Sequence, residues 1–143
     1  MNKKRIYVAG PLTALGVDYI KNHSNMMIEA EHLRRLGFSV YVPATDLLMG
    51  LKFGYTDIKD YFDNSQPWLL AADAVYLCKG WGDSEGSMRE METAMANGIP
   101  VFDNPDTLVA YFDIEKYDAS FEALENYVNT VLAGLEKNIV NKK

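Results

Sequence analysis

The stretch RIYVAGP, residues 5–11, decides the fold class of this chain. Residues 5–9 are mostly apolar and rich in strand formers, and Gly10 and Pro11 interrupt the run. This pattern predicts a short buried strand followed by a turn. Three later stretches have the same character and predict the second, third and fourth strands: FSVYVPA, AVYLCKGW and IPVFDNP.

Helical stretches separate the predicted strands. The predicted helices are VDYIKNHSNMMIEAEHLRRLG, a short NSQPWLLAAD with proline near its first turn, residues 82–98, and residues 120–138 with a clear apolar stripe. Residues 46–62 lack a clean period and are expected to form a loop. Alternating strands and helices predict an α/β fold with a parallel sheet covered on both faces. We expect one flavodoxin-like, or Rossmann-like, domain spanning residues 1–143.

The composition of the chain limits the classes of partner and the compartment that we expect. The chain has 143 residues and a formal net charge of −6, with a pI of about 4.8, which argues against a nucleic-acid partner. Its one cysteine, Cys78, lies in an apolar run and predicts a buried thiol in a reducing compartment. The sequence shows neither a signal peptide nor a membrane span, so we expect a cytoplasmic protein without a membrane partner.

The topology predicts where a ligand would bind. In open parallel sheets, ligands bind outside the carboxyl ends of the strands. Three segments are expected to meet there, residues 10–13, 43–46 and 79–87.

The stretch DSEGSMREMETAMANG, residues 83–98, places three glutamates on one predicted helix. On a helical wheel, the core face is expected to hold Met88, Met91 and Met95 together with the small residues Ser87 and Ala94. Glu85 lies opposite that face, whereas Glu90 and Glu92 flank it. Glu90 borders the small residues, where a ligand has room, so it is either a functional carboxylate or a solvated group on the rim.

Two further polar residues stand in predicted strands. Asp73 begins the third strand, where a charge is normally avoided, and is either a turn residue or a functional carboxylate. Tyr7 lies inside the first strand and needs a partner for its hydroxyl group, which is either the backbone or a functional side chain.

Three motifs stand out along the chain, IYVAGPLT, LLAADAVYL and SEGSMREMETAMANGIPV, and cover roughly residues 5–102. In kind and in order they resemble the motifs of the nucleoside 2-deoxyribosyltransferase superfamily. The third is the most specific, because a serine or aspartate, a glycine, a glutamate, an alanine and a final glycine recur at fixed spacing.

The resemblance implies roles for three residues. The family's glutamate, the nucleophile that attacks C1′ of a deoxyribosyl group, falls on Glu90, and Ala94 and Gly98 follow as packing positions. The tyrosine that orients this glutamate falls on Tyr7. The aspartate that assists protonation of the departing base falls on Asp73. An oxocarbenium-like transition state next to a carboxylate suits this chemistry.

The head of the third motif bears on the substrate. Relatives that act on free nucleosides often carry an acid there, whereas those that cleave 2′-deoxynucleoside 5′-monophosphates tend to carry serine, as at Ser84. Ser84, Gly86 and Ser87, with Gly10 and Thr13 from the first loop, are therefore expected to bind the phosphate or sugar end.

Trp81 is expected either to stack on a base or to pack at the strand end. No Cys or His spacing supports a metal, and no cofactor is expected. The resemblance implies a nucleotide or nucleoside substrate and a homodimer or larger homo-oligomer.

The predicted activity is hydrolysis of the N-glycosidic bond of a 2′-deoxynucleoside 5′-monophosphate. The alternatives are a deoxyribosyltransferase that exchanges bases on free deoxynucleosides, and a non-catalytic module that binds a nucleotide or an ADP-ribose-like signal.

Overall fold

The fold is a four-stranded parallel sheet with helices on both faces. The structure, a computed structural model, describes residues 2–12, 16–54, 57–114, 129–134 and 136–137. The strands are β1 (Arg5–Ala9), β2 (Ser39–Tyr41), β3 (Ala74–Leu77) and β4 (Val101–Phe102). The helices are α1 (Val17–Arg35), α2 (Asp46–Phe53), α3 (Ile58–Leu70), α4 (Glu85–Ala96) and α5 (Pro105–Tyr111). The strand order β2-β1-β3-β4 confirms the predicted flavodoxin-like fold class.

The side chains of β1 alternate between two cores, one on each face of the sheet. Ile6 and Val8 belong to the core under α1, together with Met26, Ala30 and Leu33. Tyr7 and Ala9 point the other way and belong to the core under α3 and α4, together with Leu69 and Ala94. All four β1 side chains after Arg5 are buried, which explains the continuous apolar run in the sequence.

Two predictions about the bounds of helices need correction. The segment predicted as a loop over residues 46–62 contains α2 and the start of α3. The short helix with proline in its first turn is the end of α3, where Pro67 lies inside the helix. Pro67 has no N–H group to donate to the carbonyl four residues earlier, so the helix lacks one backbone hydrogen bond at that turn.

The predicted core face of α4 is displaced toward Glu90. Ser87 and Ala94 are buried, as expected, but Met88 and Met95 are exposed. Small side chains allow the helix to approach the sheet closely, so the buried face centres on them and brings Glu90 inward.

Two predictions fall largely outside the described residues. Thr13 is outside them, and so is most of the helix predicted for residues 120–138, of which residues 129–134 and 136–137 are helical. Among the described residues, none of the helices has both the length and the apolar character needed to cross a membrane.

Candidate active site

Tyr7 and Glu90 form the centre of the candidate site. Tyr7 lies in the middle of β1, between β2 and β3, and is 0% exposed. Its hydroxyl group donates a hydrogen bond of 2.5 Å to Oε1 of Glu90, which projects from α4. The sheet therefore fixes the carboxylate of Glu90 through a buried tyrosine. This contact links two residues that are 83 positions apart in the sequence.

Burial controls the protonation of this pair. Burial raises the pKa of Glu90 from its ordinary value of 4.5 to about 7, although the hydrogen bond from Tyr7 opposes the rise. Burial and the nearby Glu90 carboxylate raise the pKa of Tyr7 well above its usual range. Tyr7 is therefore a proton donor in the hydrogen bond at every physiological pH, and Glu90 ionises near neutrality.

A cavity of about 270 Å³ opens next to Glu90, at the carboxyl ends of the strands. Its polar lining consists of Tyr19, His23, Tyr61, Ser65, Ser84, Ser87 and Glu90. Its apolar lining includes Leu12, Met26, Leu47, Ile58 and Phe62. Among the described residues that line it, Glu90 is the one carboxylate. An apolar wall with a few convergent polar groups is typical of a small-molecule site.

The N-terminus of α4 borders the same cavity. Ser84 caps the helix, and its hydroxyl accepts a hydrogen bond of 3.3 Å from the backbone N–H of Ser87. The side chain of Ser87 is buried, and its hydroxyl group has no hydrogen-bond partner among the described residues. A buried hydroxyl without a partner is costly, and a bound ligand would satisfy it. With Gly86 between them, these residues offer hydrogen-bond donors beside Glu90.

Gly10 lets β1 end close to β3. A Cβ atom at this position would lie 2.8 Å from Cβ of Cys78 and 3.0 Å from Cε of Met26. Cys78 is itself buried, as predicted, and burial raises the pKa of its thiol. Gly10 also lines the cavity, so the predicted glycine stands at the site for a steric reason.

Asp73 is not brought to this site, and the role predicted for it does not fit its position. It precedes β3 at the amino end of the sheet, opposite the edge that carries the cavity. Its carboxylate accepts hydrogen bonds from the backbone N–H of Arg5, at 2.7 Å, and from the Arg5 guanidinium, at 3.2 Å. The bonds from Arg5 hold the pKa of Asp73 below its ordinary value, so it remains ionised and cannot act as an acid near neutral pH.

Trp81 packs at the end of the third strand, which is the second of its two predicted positions. It lies in a short 3₁₀ turn, Trp81–Asp83, against the core under α3 and α4. It is not among the described residues that line the cavity.

Ser65 and His23 are two polar residues of the cavity that were not predicted as site residues from the sequence. Ser65 is buried on α3, and a hydrogen bond from its hydroxyl group partly offsets the rise in the pKa of Tyr7. His23 is buried on α1 and faces the same cavity from the other side of the sheet. Neither position stands out in the sequence, because only the fold brings α1, α3 and α4 together.

An aromatic stack supports Tyr7 from β2. The Tyr41 ring stacks on Tyr7 with 5.6 Å between centroids, and Trp68 stacks on Tyr41 at 5.5 Å. The Tyr41 hydroxyl donates to Asp46 at 3.0 Å, and Asn64 donates to the same carboxylate at 3.2 Å. The stack keeps the Tyr7 ring in place while leaving its hydroxyl group to Glu90.

Metal binding has no evident site in this part of the chain. Among the described residues, no three His, Cys, Asp or Glu side chains are grouped so as to hold an ion.

The ionisation of Glu90 is expected to oppose folding. The pKa of Glu90 is higher in the folded protein than its ordinary value of 4.5. The contribution of protonated Glu90 to the free energy of unfolding is therefore fully present below pH 4.5 and is lost as the pH rises through about 7. The difference between the two values corresponds to about 3 kcal/mol as an upper value. The change Glu90→Gln removes the charge but retains an acceptor for Tyr7.

We therefore expect Glu90→Gln to raise the free energy of unfolding at pH 8 by about 2 to 3 kcal/mol, and to leave it nearly unchanged at pH 4. Urea unfolding at pH 4, 6 and 8 measures this. Glu92→Gln, on the exposed side of the same helix, is the control and should show no such pH dependence. Equal stability of wild type and Glu90→Gln at pH 8 would contradict a buried ionisable Glu90.

Comparisons with known proteins give a matching family model and solved structures with a similar fold. A family model described as "Domain of unknown function (DUF4406)" matches residues 4–103. No curated protein matches the chain. Among solved structures, a 2-deoxyribosyltransferase from Bacillus psychrosaccharolyticus is 23% identical with a TM-score of 0.52, over 90% of this chain and 95% of that one. A conserved protein from Enterococcus faecalis V583 is 21% identical with a TM-score of 0.52, over 96% and 99% of the two chains. The fold implied by the sequence resemblance is thus confirmed.

Proposed function

This chain belongs to the family described as DUF4406, and we propose that it hydrolyses the N-glycosidic bond of 2′-deoxynucleoside 5′-monophosphates. The observation that carries the proposal is the hydrogen bond of Tyr7 to Glu90 beside the N-terminus of α4. This arrangement puts a carboxylate and a set of hydrogen-bond donors on one small cavity. The shared fold with a protein named a 2-deoxyribosyltransferase supports chemistry at a deoxyribosyl group.

Glu90 is the proposed nucleophile. Its ionised carboxylate attacks C1′ as the bond from C1′ to the base nitrogen breaks, and the base departs with the electron pair. An ester between Glu90 and C1′ results. Water then attacks C1′, the ester bond breaks, and free base and deoxyribose 5-phosphate are the products. Two displacements at one carbon retain the configuration at C1′.

Tyr7 orients the nucleophile. Its hydrogen bond occupies Oε1 of Glu90 and leaves the other carboxylate oxygen for C1′. The same bond favours the ionised form of Glu90, which is the form that attacks. Because its own pKa is raised, Tyr7 donates the hydrogen bond without losing the proton.

The N-terminus of α4 is the proposed binding site for the phosphate or sugar end. The buried Ser87 hydroxyl, the Ser84 cap and the backbone at Gly86 provide donors without a cation. Ser84 stands where a carboxylate would repel a phosphate. Gly10 permits close approach from the end of β1, and Thr13 is proposed to contribute a hydroxyl from the first loop.

The shared fold also favours a second candidate, base exchange on free deoxynucleosides. The two functions differ in two respects. In hydrolysis water attacks C1′ in the second step and the substrate carries a 5′-phosphate, whereas in exchange a second base attacks and the substrate is a free nucleoside. Wild-type protein should be incubated with each 2′-deoxynucleoside 5′-monophosphate and each deoxynucleoside, and free base measured by chromatography. The same reactions with a second free base detect exchange.

We expect free base from at least one monophosphate, and little from the matching nucleoside. An exchanged nucleoside from free nucleosides would instead establish a transferase. Absence of base release from every substrate, with nucleotide binding retained, would favour a non-catalytic binding module. The homodimer or larger assembly expected from the resemblance stays a prediction that light scattering can test.

A further inference from the structure

The proposed reaction needs a proton for the departing base, and Asp73 cannot supply it. A nucleobase leaves far more readily once a ring nitrogen is protonated. Asp73 is bound to Arg5 at the opposite edge of the sheet. Among the described residues that line the cavity, Glu90 is the one carboxylate, and it is committed to C1′. The remaining candidates are water and the other polar groups of the same cavity.

His23 is a group of the right chemistry in that cavity. Its side chain is 8% exposed and lines the cavity together with Glu90. Imidazole is the side chain whose ordinary proton affinity lies closest to neutral pH. The titratable side chains that share the cavity with it are Tyr19, Tyr61 and Glu90.

Its ring is held in one orientation. Nδ1 of His23 lies 2.8 Å from the carbonyl oxygen of Tyr19 in the same helix. A carbonyl only accepts, so Nδ1 carries a proton and donates it to Tyr19. The Tyr19 ring also packs against the imidazole with 4.2 Å between centroids. Because Nδ1 faces the backbone of α1, Nε2 on the other side of the ring points away from the helix.

We propose that His23 is the proton donor to the departing base, an inference that rests on the proposed N-glycosidase function. With Nδ1 fixed to Tyr19, Nε2 is the atom that gains and loses the catalytic proton. Nε2–H protonates a ring nitrogen of the base as the bond to C1′ breaks. Neutral His23 then takes a proton from the water that attacks C1′, and Glu90 leaves as a carboxylate. Each turnover moves one proton out of His23 and one back, and the net reaction consumes one water molecule.

The kinetic test compares two leaving groups. His23→Gln retains a polar side chain but cannot transfer a proton. We expect it to lower kcat/KM for the best 2′-deoxynucleoside 5′-monophosphate by about 10²- to 10³-fold. This constant reports the step in which the leaving group departs and not the later attack of water, which is the same for every substrate. With 4-nitrophenyl deoxyribose 5-phosphate, whose leaving group departs as an anion, the same change should lower kcat/KM by less than about 3-fold, since no protonation is needed. An equal loss of kcat/KM for both substrates would overturn the proposal, because it indicates contact with the sugar or the phosphate.

His32→Gln is the matched control. His32 is the chain's other histidine and is also buried on α1, but it lines a separate cavity with Glu29 and Asn22. We expect turnover within about 3-fold of wild type for both substrates. If His32→Gln, and not His23→Gln, selectively slowed turnover of the nucleotide, the proton donor would be His32 and the proposal would be wrong.

A binding measurement keeps the proposal testable without turnover. Imidazole ¹⁵N spectra of the Glu90→Gln protein contain only two histidines, and His32→Gln assigns them. We expect the Nε2 signal of His23 to move when a 2′-deoxynucleoside 5′-monophosphate is added, and not when deoxyribose 5-phosphate is added. If deoxyribose 5-phosphate, which has no base, also moves the signal, or if neither ligand moves it, the contact with the base is overturned. Absence of base release by wild type together with the expected shift would refute the proposed hydrolysis but not the contact.

Discussion

Glu90→Gln is expected to lower the rate of base release by at least about 10³-fold. The variant keeps the shape of the side chain and an acceptor for the Tyr7 hydroxyl. It removes the charge that stabilises the oxocarbenium-like state and the oxygen nucleophile that captures C1′. Free base released from a saturating monophosphate, at pH 8, measures the change.

The controls for Glu90 are available on the same helix. Glu92→Gln removes an exposed carboxylate two residues away and should leave the rate within about 2-fold of wild type. Partial unfolding cannot explain a lower rate of Glu90→Gln, because this variant is expected to be more stable than wild type at pH 8. A variant that is folded and retains more than about a tenth of the wild-type rate would remove Glu90 from the reaction.

Tyr7→Phe is expected to lower base release by about 10- to 100-fold, in line with the loss of a hydrogen bond to a charged group. The acid limb of the pH profile should rise as Glu90 ionises, with a midpoint for wild type near pH 7, and a separate limb should fall where the proton donor loses its proton. Since the hydrogen bond from Tyr7 lowers the pKa of Glu90, its removal should move that midpoint to higher pH. A pH profile of kcat/KM measures both effects.

Tyr41→Phe is the control for Tyr7. It retains the ring that stacks on Tyr7 and loses a hydroxyl group that donates to Asp46, not to Glu90. We expect less than about a 3-fold change in rate and no displacement of the midpoint. If Tyr7→Phe slows the reaction while the midpoint stays in place, Tyr7 acts on the packing of β1 and not on Glu90.

Strand positions could be predicted well from sequence because both faces of this sheet are buried. The run at residues 5–9 coincides with β1, and the later runs contain β2, β3 and β4. Continuous apolar stretches broken by Gly and Pro leave few alternatives for such strands. The alternation of strands and helices predicted a parallel sheet, whereas the order β2-β1-β3-β4 is a finding of the structure.

Helix faces were harder to predict because packing decides them. Residues 46–53 carry Leu48 and Leu51, which are exposed, so no periodic stripe indicated α2. In α4, Met88 and Met95 are hydrophobic but exposed, whereas Ser87 is buried. Hydrophobicity alone ranks these residues in the opposite order, and only the close approach of the helix to the sheet reverses it.

For the candidate site too, the sequence indicated some features, and only the fold shows the others. Glu90 was ambiguous on the helical wheel, and a resemblance in sequence selected it; its contact with Tyr7 is a property of the fold. Asp73 lies at the start of the third strand, as predicted, but the role implied by the resemblance does not fit that end of the sheet, where Asp73 pairs with Arg5. His23 gave no signal, because a lone histidine in a helix gains meaning only from the cavity it faces.

The most direct measurement of the central claim is the configuration at C1′ of the product. In mixtures of water and methanol, methanol can replace water in the second step, and proton NMR identifies the anomer of the methyl deoxyribose 5-phosphate that forms. Two displacements through Glu90 predict the β anomer, with the configuration of the nucleotide retained. The α anomer would mean a single direct attack on C1′ and would contradict a covalent role for Glu90.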